Sequence, residues 1–292
     1  MFHVQKVTSL DLPELAPYRT MRRPLEHERQ GIFVAEGEKV VRRLLESHFE
    51  VVSVLLPEKH LDAFRPLLEA RPENFTVYLA DKDLLETLIG FSMYQGQLAV
   101  GKIPPPSSLD SILTQIPNPR LLVAVDALTN AENLGALVRN CVAFGVHALV
   151  VGETSSSPFL RRAVRNSMGT VFRLPVVELG GAGQNQKAFR DSSAVSSHQN
   201  TTLVQTLLDL RTRGIRCIAA HPHTDKKFLS QADFSCDCCI VFGSEGSGIS
   251  TSVLDACDDA VAIPMSPTVD SLNVGAAAAV FLYEANRQRK KA

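Results

Sequence analysis

CIVFGSEGSGIS (Cys239–Ser250) and VAIPMSPTVDSLNVGAAAAVFLYE (Val261–Glu284) share one pattern: an apolar run that ends in a loop of small and polar residues. The apolar runs, Cys239–Phe242 and Ala260–Ile263, predict two strands, because the Gly, Ser and Pro that follow them cannot continue a strand. The second loop leads into Val274–Tyr283, whose small and apolar residues predict a buried helix. Strand, loop, strand, loop and helix is the order in which α/β proteins build a ligand crevice at the carboxyl ends of their strands.

Length and composition limit the classes of protein to which the chain can belong. With 292 residues it is long enough for two domains that each bury a core. Its 30 basic and 31 acidic residues give a net charge of −1, so binding of nucleic acid would require a local basic patch. The sequence contains neither an apolar run long enough to span a bilayer nor a secretory start. We therefore expect a cytoplasmic protein without membrane contact.

The six cysteines are scattered along the chain, which is no disulfide framework for a protein of this size and suits a reducing cytosol. Three of them lie in Cys236-Asp-Cys-Cys239, but no second pair stands at zinc-finger spacing. The favoured interpretation is that these are small apolar residues at the start of a buried strand. We predict no metal site.

Strand and helix patterns alternate along the first hundred residues. The clearest helix pattern is Glu38–Ser47, whose apolar residues recur at the i, i+3 and i+4 positions. Three consecutive prolines within Gly101–Ser108 predict a stiff, extended connector. We therefore predict a small α/β domain over residues 1–103, a linker over 104–118 and a second domain over 119–292.

The second domain opens with a strand–helix–strand unit. Arg120–Val125 is an almost uninterrupted apolar run, which is typical of a central parallel strand. A helix is predicted over Leu134–Phe144 with Asn133 as its N-cap, followed by a strand over His147–Val151. Residues 180–202 are polar and lack periodicity, which predicts a loose loop or an insertion.

Five polar residues that could carry chemistry follow the buried strands of this domain: Asn133, Arg139, Glu245, Ser271 and Asn273. Taken singly, each has a structural interpretation: the asparagines and the serine as helix caps, Arg139 as a side chain that snorkels from a helix flank, and Glu245 as an exposed turn residue. Because their loops all follow strands of one domain, they can converge at one edge of the sheet. The glycines around Glu245 match neither the dinucleotide fingerprint nor the phosphate loop.

Three segments resemble the signature motifs of the SpoU (TrmH-like) RNA ribose methyltransferases of the SPOUT class. They are NAENLGALVRNCVAFGV (Asn130–Val146), VFGSEGSGIS (Val241–Ser250) and IPMSPTVDSLNVGAAAAVFLYE (Ile263–Glu284). RRAVRNSMGTVFRLPV (Arg161–Val176) is similar to the family's segment after the first strand–helix–strand unit. GIFVAEGEKVVRRLLES (Gly31–Ser47) and the later YQGQLAV resemble the family's small, ribosomal-protein-like RNA-binding domain.

The resemblance implies an α/β fold whose C-terminal domain has a parallel sheet, helices on both faces and a deep trefoil knot, preceded by the ribosomal-protein-like α/β domain. It implies that S-adenosyl-L-methionine is held, largely through backbone groups, at Gly243, Ile263 and Leu272. It also implies an obligate homodimer with the active site near the interface, and an RNA partner that is ribosomal or transfer RNA, with ribosomal RNA favoured. The catalytic residues carried over from the motifs are Asn133, Arg139, Glu245, Ser271 and Asn273.

The implied reaction suits these residue types. A ribose 2′-hydroxyl is a poor nucleophile at neutral pH and must lose its proton as it attacks the sulfonium methyl. Because a guanidinium is normally always protonated, we assign Arg139 first to phosphate orientation and to stabilisation of the developing alkoxide, and only second to the role of base. Glu245 is expected to orient Arg139 through a charge-assisted pair. Asn133, Ser271 and Asn273 are expected to fix the loops and the ribose by hydrogen bonds.

Some positions depart from the family's pattern, and they keep alternatives open. Pro267 stands where Gly is usual, Gly275 where Ser is usual, and Ala131-Glu132 replaces a common Asp-Pro-Gly. One alternative is a non-catalytic RNA-binding or ribosome-assembly protein that retains the fold, and another is a base-methylating SPOUT enzyme. RNA contact would come from a basic patch formed by Arg19, Arg22, Arg23, Arg42, Arg43, Arg161, Arg162 and Arg165.

Overall fold

A computed structural model describes residues 1–89, 96–180, 201–222 and 227–290 of the chain. The chain forms two compact units: Met1–Pro105 together with Phe159–Arg173, and Pro106–Pro158 together with Leu174–Ala292. Tyr94 and Gln95 of the YQGQLAV segment, and nearly all of the predicted insertion at 180–202, lie outside the described residues.

The first unit is built on a five-stranded mixed sheet. Its elements up to residue 105 are β1 (Phe2–Lys6), α1 (Ala16–Arg19), α2 (Pro24–Arg29), β2 (Ile32–Glu36), α3 (Glu38–Leu45), β3 (Val51–Leu56), α4 (Leu61–Glu69), β4 (Phe75–Leu79), α5 (Lys82–Ile89) and β5 (Leu98–Lys102). The strand order is β1-β4-β3-β5-β2, with β1, β4 and β3 parallel and β5 antiparallel to both of its neighbours. The apolar residues of the predicted helix Glu38–Ser47 are buried on one face of α3, as the periodicity requires.

The second unit is built on a six-stranded sheet in which every pairing is parallel. Its span of the chain contains α6 (Leu109–Gln115), β6 (Leu121–Val125), α7 (Ala131–Ala143), β7 (Ala148–Val151), α8 (Arg161–Asn166, part of the first unit), β8 (Val176–Glu178), α9 (Leu203–Thr212), β9 (Arg216–Ala220), β10 (Cys238–Phe242), α10 (Thr251–Asp255), β11 (Asp259–Val261) and α11 (Val274–Arg289). The strand order is β11-β9-β10-β6-β7-β8.

Helices cover both faces of this sheet. Apolar residues of α6, α9 and α10 share one core with alternate residues of the strands, such as Leu122 and Val241. On the opposite face the ring of Phe281 from α11 meets that of Phe242 from β10, with centroids 5.7 Å apart. β6, β7 and β10 are buried along their whole length, which explains why the sequence reads there as continuous apolar runs. The predicted α/β class with a parallel sheet is confirmed.

Residues Phe159–Arg173 group with the first unit, although the predicted boundaries place them in the second domain. The carboxylate of Glu36, at the end of β2, is 8% exposed and accepts hydrogen bonds from Arg161 and, at 2.8 Å, from Arg165. Four phenylalanine rings pack together beside this cluster, with centroids between 5.3 and 6.0 Å apart: Phe33, Phe49, Phe159 and Phe172. A buried carboxylate requires paired charges and hydrogen bonds, so this segment completes the first unit.

Most arginines of the predicted basic patch are held by protein partners within this unit. Arg19 donates to the Leu10 carbonyl, Arg23 to Glu26, and Arg43 to the Met168 carbonyl. Arg42 donates to Glu38 and lies over the ring of Phe64 at 4.5 Å. Arg161 and Arg165 bond to Glu36, so these six predicted arginines all bond to other residues of the first unit.

The last helix, α11, packs against α7. Gly275 lets the two helices approach closely, since a Cβ added there would lie 3.2 Å from the Cβ of Ala136. Asn140 donates to the Gly275 carbonyl at 2.7 Å, and Asn286 donates to the Phe144 carbonyl at 3.0 Å. The predicted buried helix is present and extends to Arg289, but Tyr283 on its outer face is 60% exposed.

No helix in the described ranges is long and apolar enough to cross a bilayer. All six cysteines are free, and five of them are at least partly buried. Of these five, Cys217 lies in β9, Cys238 and Cys239 lie in β10, and Cys141 lies in α7. Burial raises the pKa of the Cys238 thiol to about 11 and that of the Cys257 thiol to about 12, so both stay protonated at neutral pH.

His147 makes the stability of the second unit depend on pH. Its Nδ1 accepts a hydrogen bond from the Leu121 N–H at 3.0 Å, which only the neutral ring can do. Burial lowers the pKa of His147, and the nearby Arg289 charge lowers it further. The unfolded chain therefore binds this proton more readily than the folded one, and stability falls as pH drops from about 6.5 towards the lower folded pKa.

We predict that His147→Asn loses less stability than the wild type on acidification from pH 6.5 to 5. The asparagine oxygen replaces Nδ1 as acceptor but does not titrate, so the slope of unfolding free energy against pH decreases by at most about 1.4 kcal/mol per pH unit. Urea unfolding at several pH values measures both slopes. Some dependence remains, because burial also lowers the pKa of His27. An unchanged slope would contradict the assignment.

Candidate active site

A cavity of about 450 Å³ opens at the carboxyl ends of β9, β10 and β11. This is the edge of the sheet at which the sequence places a ligand crevice. Gly243, Ile263 and Leu272, the predicted donor-binding residues, all line the cavity, and so do Glu245 and Ser271. The volume falls in the range of about 300 to 1,000 Å³ that small-molecule sites occupy.

The turn Gly243–Ile249 forms one wall of the cavity. Ser244 and Gly248 pair through two backbone hydrogen bonds of 3.1 and 3.0 Å, and the Ser244 hydroxyl meets that of Ser247 at 2.9 Å. A Cβ on Gly243 would collide with the backbone of Gly248 and Ile249, so only glycine permits this closed turn. Gly243 therefore serves to bring the turn's own backbone together.

The loop between β11 and α11 forms the facing wall. Its centre is a β-turn in which the Val269 N–H donates to the Ser266 carbonyl at 3.0 Å, with Pro267 at the second position. That position favours proline, because the ring fixes φ at the value the turn needs. Pro267, the departure from the family's pattern, thus stiffens the loop that carries Asp270 and Leu272 into the cavity wall.

Hydrogen bonds between side chains join three of the five predicted catalytic residues. The Nδ2 of Asn133 donates to the Oε1 of Glu245. The Nδ2 of Asn273 donates to the Oδ1 of Asn133 at 3.0 Å, and the Oδ1 of Asn273 accepts from the Gly275 N–H at 2.9 Å. Because an amide has one donor end and one acceptor end, each bond fixes the orientation of the next residue. We call this arrangement the Glu245–Asn133–Asn273 chain.

The structure corrects the predicted start of α7. Asn130, not Asn133, is the N-cap: its Oδ1 accepts from the backbone N–H groups of Glu132 and Asn133 at 2.9 and 3.2 Å. The helix therefore begins at Ala131, three residues earlier than predicted. Both asparagines are good cap residues, and the apolar periodicity that begins at Leu134 favoured the wrong one. The earlier cap leaves the side chain of Asn133 available to the site.

The structure places Arg139 away from Glu245. Arg139 is exposed on α7, and no hydrogen bond or ion pair links it to any residue in the described part of the chain. The expected Glu245–Arg139 pair is therefore not present within the described chain, where Glu245 bonds to Asn133 instead. Six residues separate Asn133 from Arg139, which at about 100° per residue puts them about 120° apart around the helix.

Sequence reasoning missed two contributors to the site. The end of β9 forms part of the cavity wall through Ala220, His221 and Pro222. This position could be inferred once the neighbouring strand is known to end at the same edge. Asp126, directly after β6, is 6% exposed and accepts from the Ser250 N–H at 2.8 Å. The sequence signal for Asp126 is a single acid at the end of an apolar run. Within the described residues, no group of three His, Cys, Asp or Glu side chains could hold a metal ion.

Comparison with known proteins identifies the family. The SpoU rRNA Methylase family matches residues 120–194 and 183–283. An uncharacterised tRNA/rRNA methyltransferase of Mycobacterium tuberculosis is 30% identical over 97% of this chain and 92% of its own length. The 23S rRNA (guanosine-2'-O-)-methyltransferase RlmB of Acinetobacter baylyi is 32% identical over 87% of this chain and 96% of its own.

A solved structure has a similar fold. The SpoU methyltransferase AviRb of Streptomyces viridochromogenes, in complex with the cofactor AdoMet, superimposes with a TM-score of 0.75 at 25% identity, covering 94% of this chain and 97% of its own. The chain belongs to the SpoU rRNA methylase family. The family recognised from the three motifs is therefore confirmed, and with it the predicted class of enzyme, an S-adenosylmethionine-dependent RNA methyltransferase.

We predict that Gly243→Ala weakens binding of S-adenosylmethionine at least about tenfold, because the added Cβ forces the turn open. Gly246→Ala is the matched control, since a Cβ there meets nothing within 4 Å and the backbone needs no positive φ. Isothermal titration calorimetry measures both affinities. Equal losses in the two variants would contradict the role given to the closed turn.

Proposed function

We propose that this methyltransferase transfers a methyl group to a ribose 2′-hydroxyl of ribosomal RNA, and that it acts as a homodimer. The observation that carries the proposal is the Glu245–Asn133–Asn273 chain at the mouth of a donor-sized cavity. Relatives named RlmB, which act on guanosine 2′-O in 23S rRNA, support the choice of hydroxyl and of RNA. The relatives named only for tRNA/rRNA leave the nucleotide unspecified.

The cavity fits S-adenosyl-L-methionine. Gly243, Ile263 and Leu272 border it, and the closed turn fixes the backbone of Gly243 at its edge. When bound, the donor supplies an electrophilic methyl group on a sulfonium. The walls carry the carboxylates of Glu245 and Asp270, and among the described residues no Lys or Arg lines the cavity. A cationic donor suits such a site.

The residues of this chain then orient and activate the hydroxyl. Arg139 anchors a phosphate and stabilises the alkoxide that develops at the ribose oxygen, since a guanidinium keeps its charge and offers five donors. Glu245 holds Asn133, and Asn133 holds Asn273, so that the three loops stay in register. Ser271 faces the cavity and binds the ribose. In-line placement of oxygen and methyl supplies much of the remaining acceleration.

A second copy of the chain explains the position of Arg139. The outer faces of α7 and α11 expose Arg139, Val280 and Tyr283, and the ring of Tyr283 lies 6.4 Å from that of Phe144. Exposed apolar groups, together with a cation that has no partner among the described residues, suit an isologous contact. In the proposed dimer, Arg139 reaches the partner's cavity across this face, where it can lie beside the partner's copy of Glu245.

Two further features belong to the same proposal. A trefoil knot is supported by the path of the chain, which leaves β11 at one edge of the sheet and returns as α11 against α7, the helix after β6, three strands away. The first unit is proposed as the RNA-binding, ribosomal-protein-like domain. A cytoplasmic location is supported by six free cysteines, because disulfides are rare in a reducing compartment.

The direct test incubates the purified protein with S-adenosylmethionine and 23S rRNA that lacks its methyl groups, then digests the RNA and analyses the nucleosides by mass spectrometry. The proposal predicts a 2′-O-methylated nucleoside. A methylated base would instead indicate a base-methylating enzyme, and donor binding without transfer would indicate an RNA-binding protein that retains the fold.

We predict that Arg139→Ala lowers kcat about 10²- to 10³-fold and leaves the donor affinity nearly intact, because the guanidinium acts on the RNA phosphate and on the developing alkoxide and not on the donor. Stopped assays with saturating donor measure kcat, and calorimetry measures affinity. Loss of donor binding in this variant would contradict its role.

A mixed dimer tests whether Arg139 acts in the partner's site. If it does, co-expressed Arg139→Ala and Asn133→Ala chains form dimers in which one site carries both changes and the other is intact. About a quarter of the wild-type activity should then return, since half of the dimers are mixed and each has one working site. If Arg139 acts within its own chain, every site carries a change and no activity returns.

A further inference from the structure

Asp126 is a buried carboxylate that no step of the proposed reaction uses. It is 6% exposed, and within the described residues no Lys or Arg forms an ion pair with it. Burying a carboxylate is costly unless hydrogen bonds compensate it. The reason for its presence is therefore to be found in its hydrogen bonds.

Two hydrogen bonds of Asp126 bracket the turn Gly243–Ile249. Its backbone N–H donates to the carbonyl of Phe242, the residue before the turn, at 2.8 Å. Its Oδ2 accepts from the N–H of Ser250, the residue after the turn, at 2.8 Å. One residue thus holds both ends of the segment that lines the cavity.

Asp126 also stands at the start of the loop that leads to α7. It follows β6 directly, and α7 carries Asn133, which bonds to Glu245 in the bracketed turn. The distance between Asn133 and Glu245 therefore depends on where Asp126 holds the turn. A hydrogen bond to a charged acceptor is among the stronger ones, which suits a fixed point.

We propose that Asp126 is a positioning residue, which sets the turn Gly243–Ile249 for donor binding through the Ser250 N–H. The inference rests on the proposed function, in that the cavity holds the methyl donor. It predicts that substitutions at Asp126 change the binding of the donor and leave the binding of the RNA substrate unchanged.

The first test measures KM for S-adenosylmethionine and KM for RNA in Asp126→Ala and Asp126→Asn. Loss of the acceptor in Asp126→Ala should raise the donor KM about tenfold, as expected for one hydrogen bond to a charged group, and leave the RNA KM unchanged. Asn keeps an acceptor oxygen, so Asp126→Asn should recover most of the donor affinity. If Asp126 served stability alone, its variants would have a lower Tm, but both KM values would be unchanged in assays well below that Tm. This result would overturn the proposal.

The second test removes the donor of the same bond. Ser250 has φ −63° and ψ 149°, which proline adopts, and its side chain makes no cap hydrogen bond. Ser250→Pro should therefore raise the donor KM about as much as Asp126→Ala, and the double variant should be no worse than either. Thr251→Pro is the control, because proline is tolerated at the first position of a helix such as α10. Additive losses in the double variant would overturn the proposal.

Failure of this inference differs from failure of the proposed function. If the wild type binds no S-adenosylmethionine in calorimetry, the proposed function fails. If the wild type binds it and Asp126→Ala binds it equally well, only the role of Asp126 fails.

Discussion

The candidate site depends on one side chain, Asn133, that bonds in two directions. Its amide nitrogen donates to Glu245 in the turn after β10, and its amide oxygen accepts from Asn273 at the start of α11. No other common side chain of that length offers both a donor and an acceptor in one fixed plane. Asn133 thereby connects α7 to two loops that are distant in sequence, and both loops line the cavity proposed to hold the donor.

The sheet brings these segments to one place. β6 and β10 are adjacent, parallel and buried along their length, so their carboxyl ends reach the same edge one residue before Asp126 and Gly243. The sequence predicts this much, because continuous apolar runs closed by glycine and serine are characteristic of central parallel strands. The cavity wall at Gly243, Ile263 and Leu272 follows from the strand ends and from the family's motifs together.

Other features could not be predicted from the sequence, for reasons that are physical. Two asparagines three residues apart are equal candidates for a cap, and only the backbone N–H groups that meet Asn130 distinguish them. The grouping of Phe159–Arg173 with the first unit depends on a buried Glu36 whose partners lie 125 and 129 residues further along the chain. Such long-range pairs leave no local pattern.

A double-mutant cycle on Asn133 and Asn273 tests this account most directly. The measurement is kcat/KM for methyl transfer in Asn133→Ala, Asn273→Ala and the double variant, converted into free energies. If the two amides act as one connection, the double variant loses little more than either single variant, with a coupling energy of at least about 1 kcal/mol. Losses that simply add would show that the two residues act independently, and would contradict the central role given to Asn133.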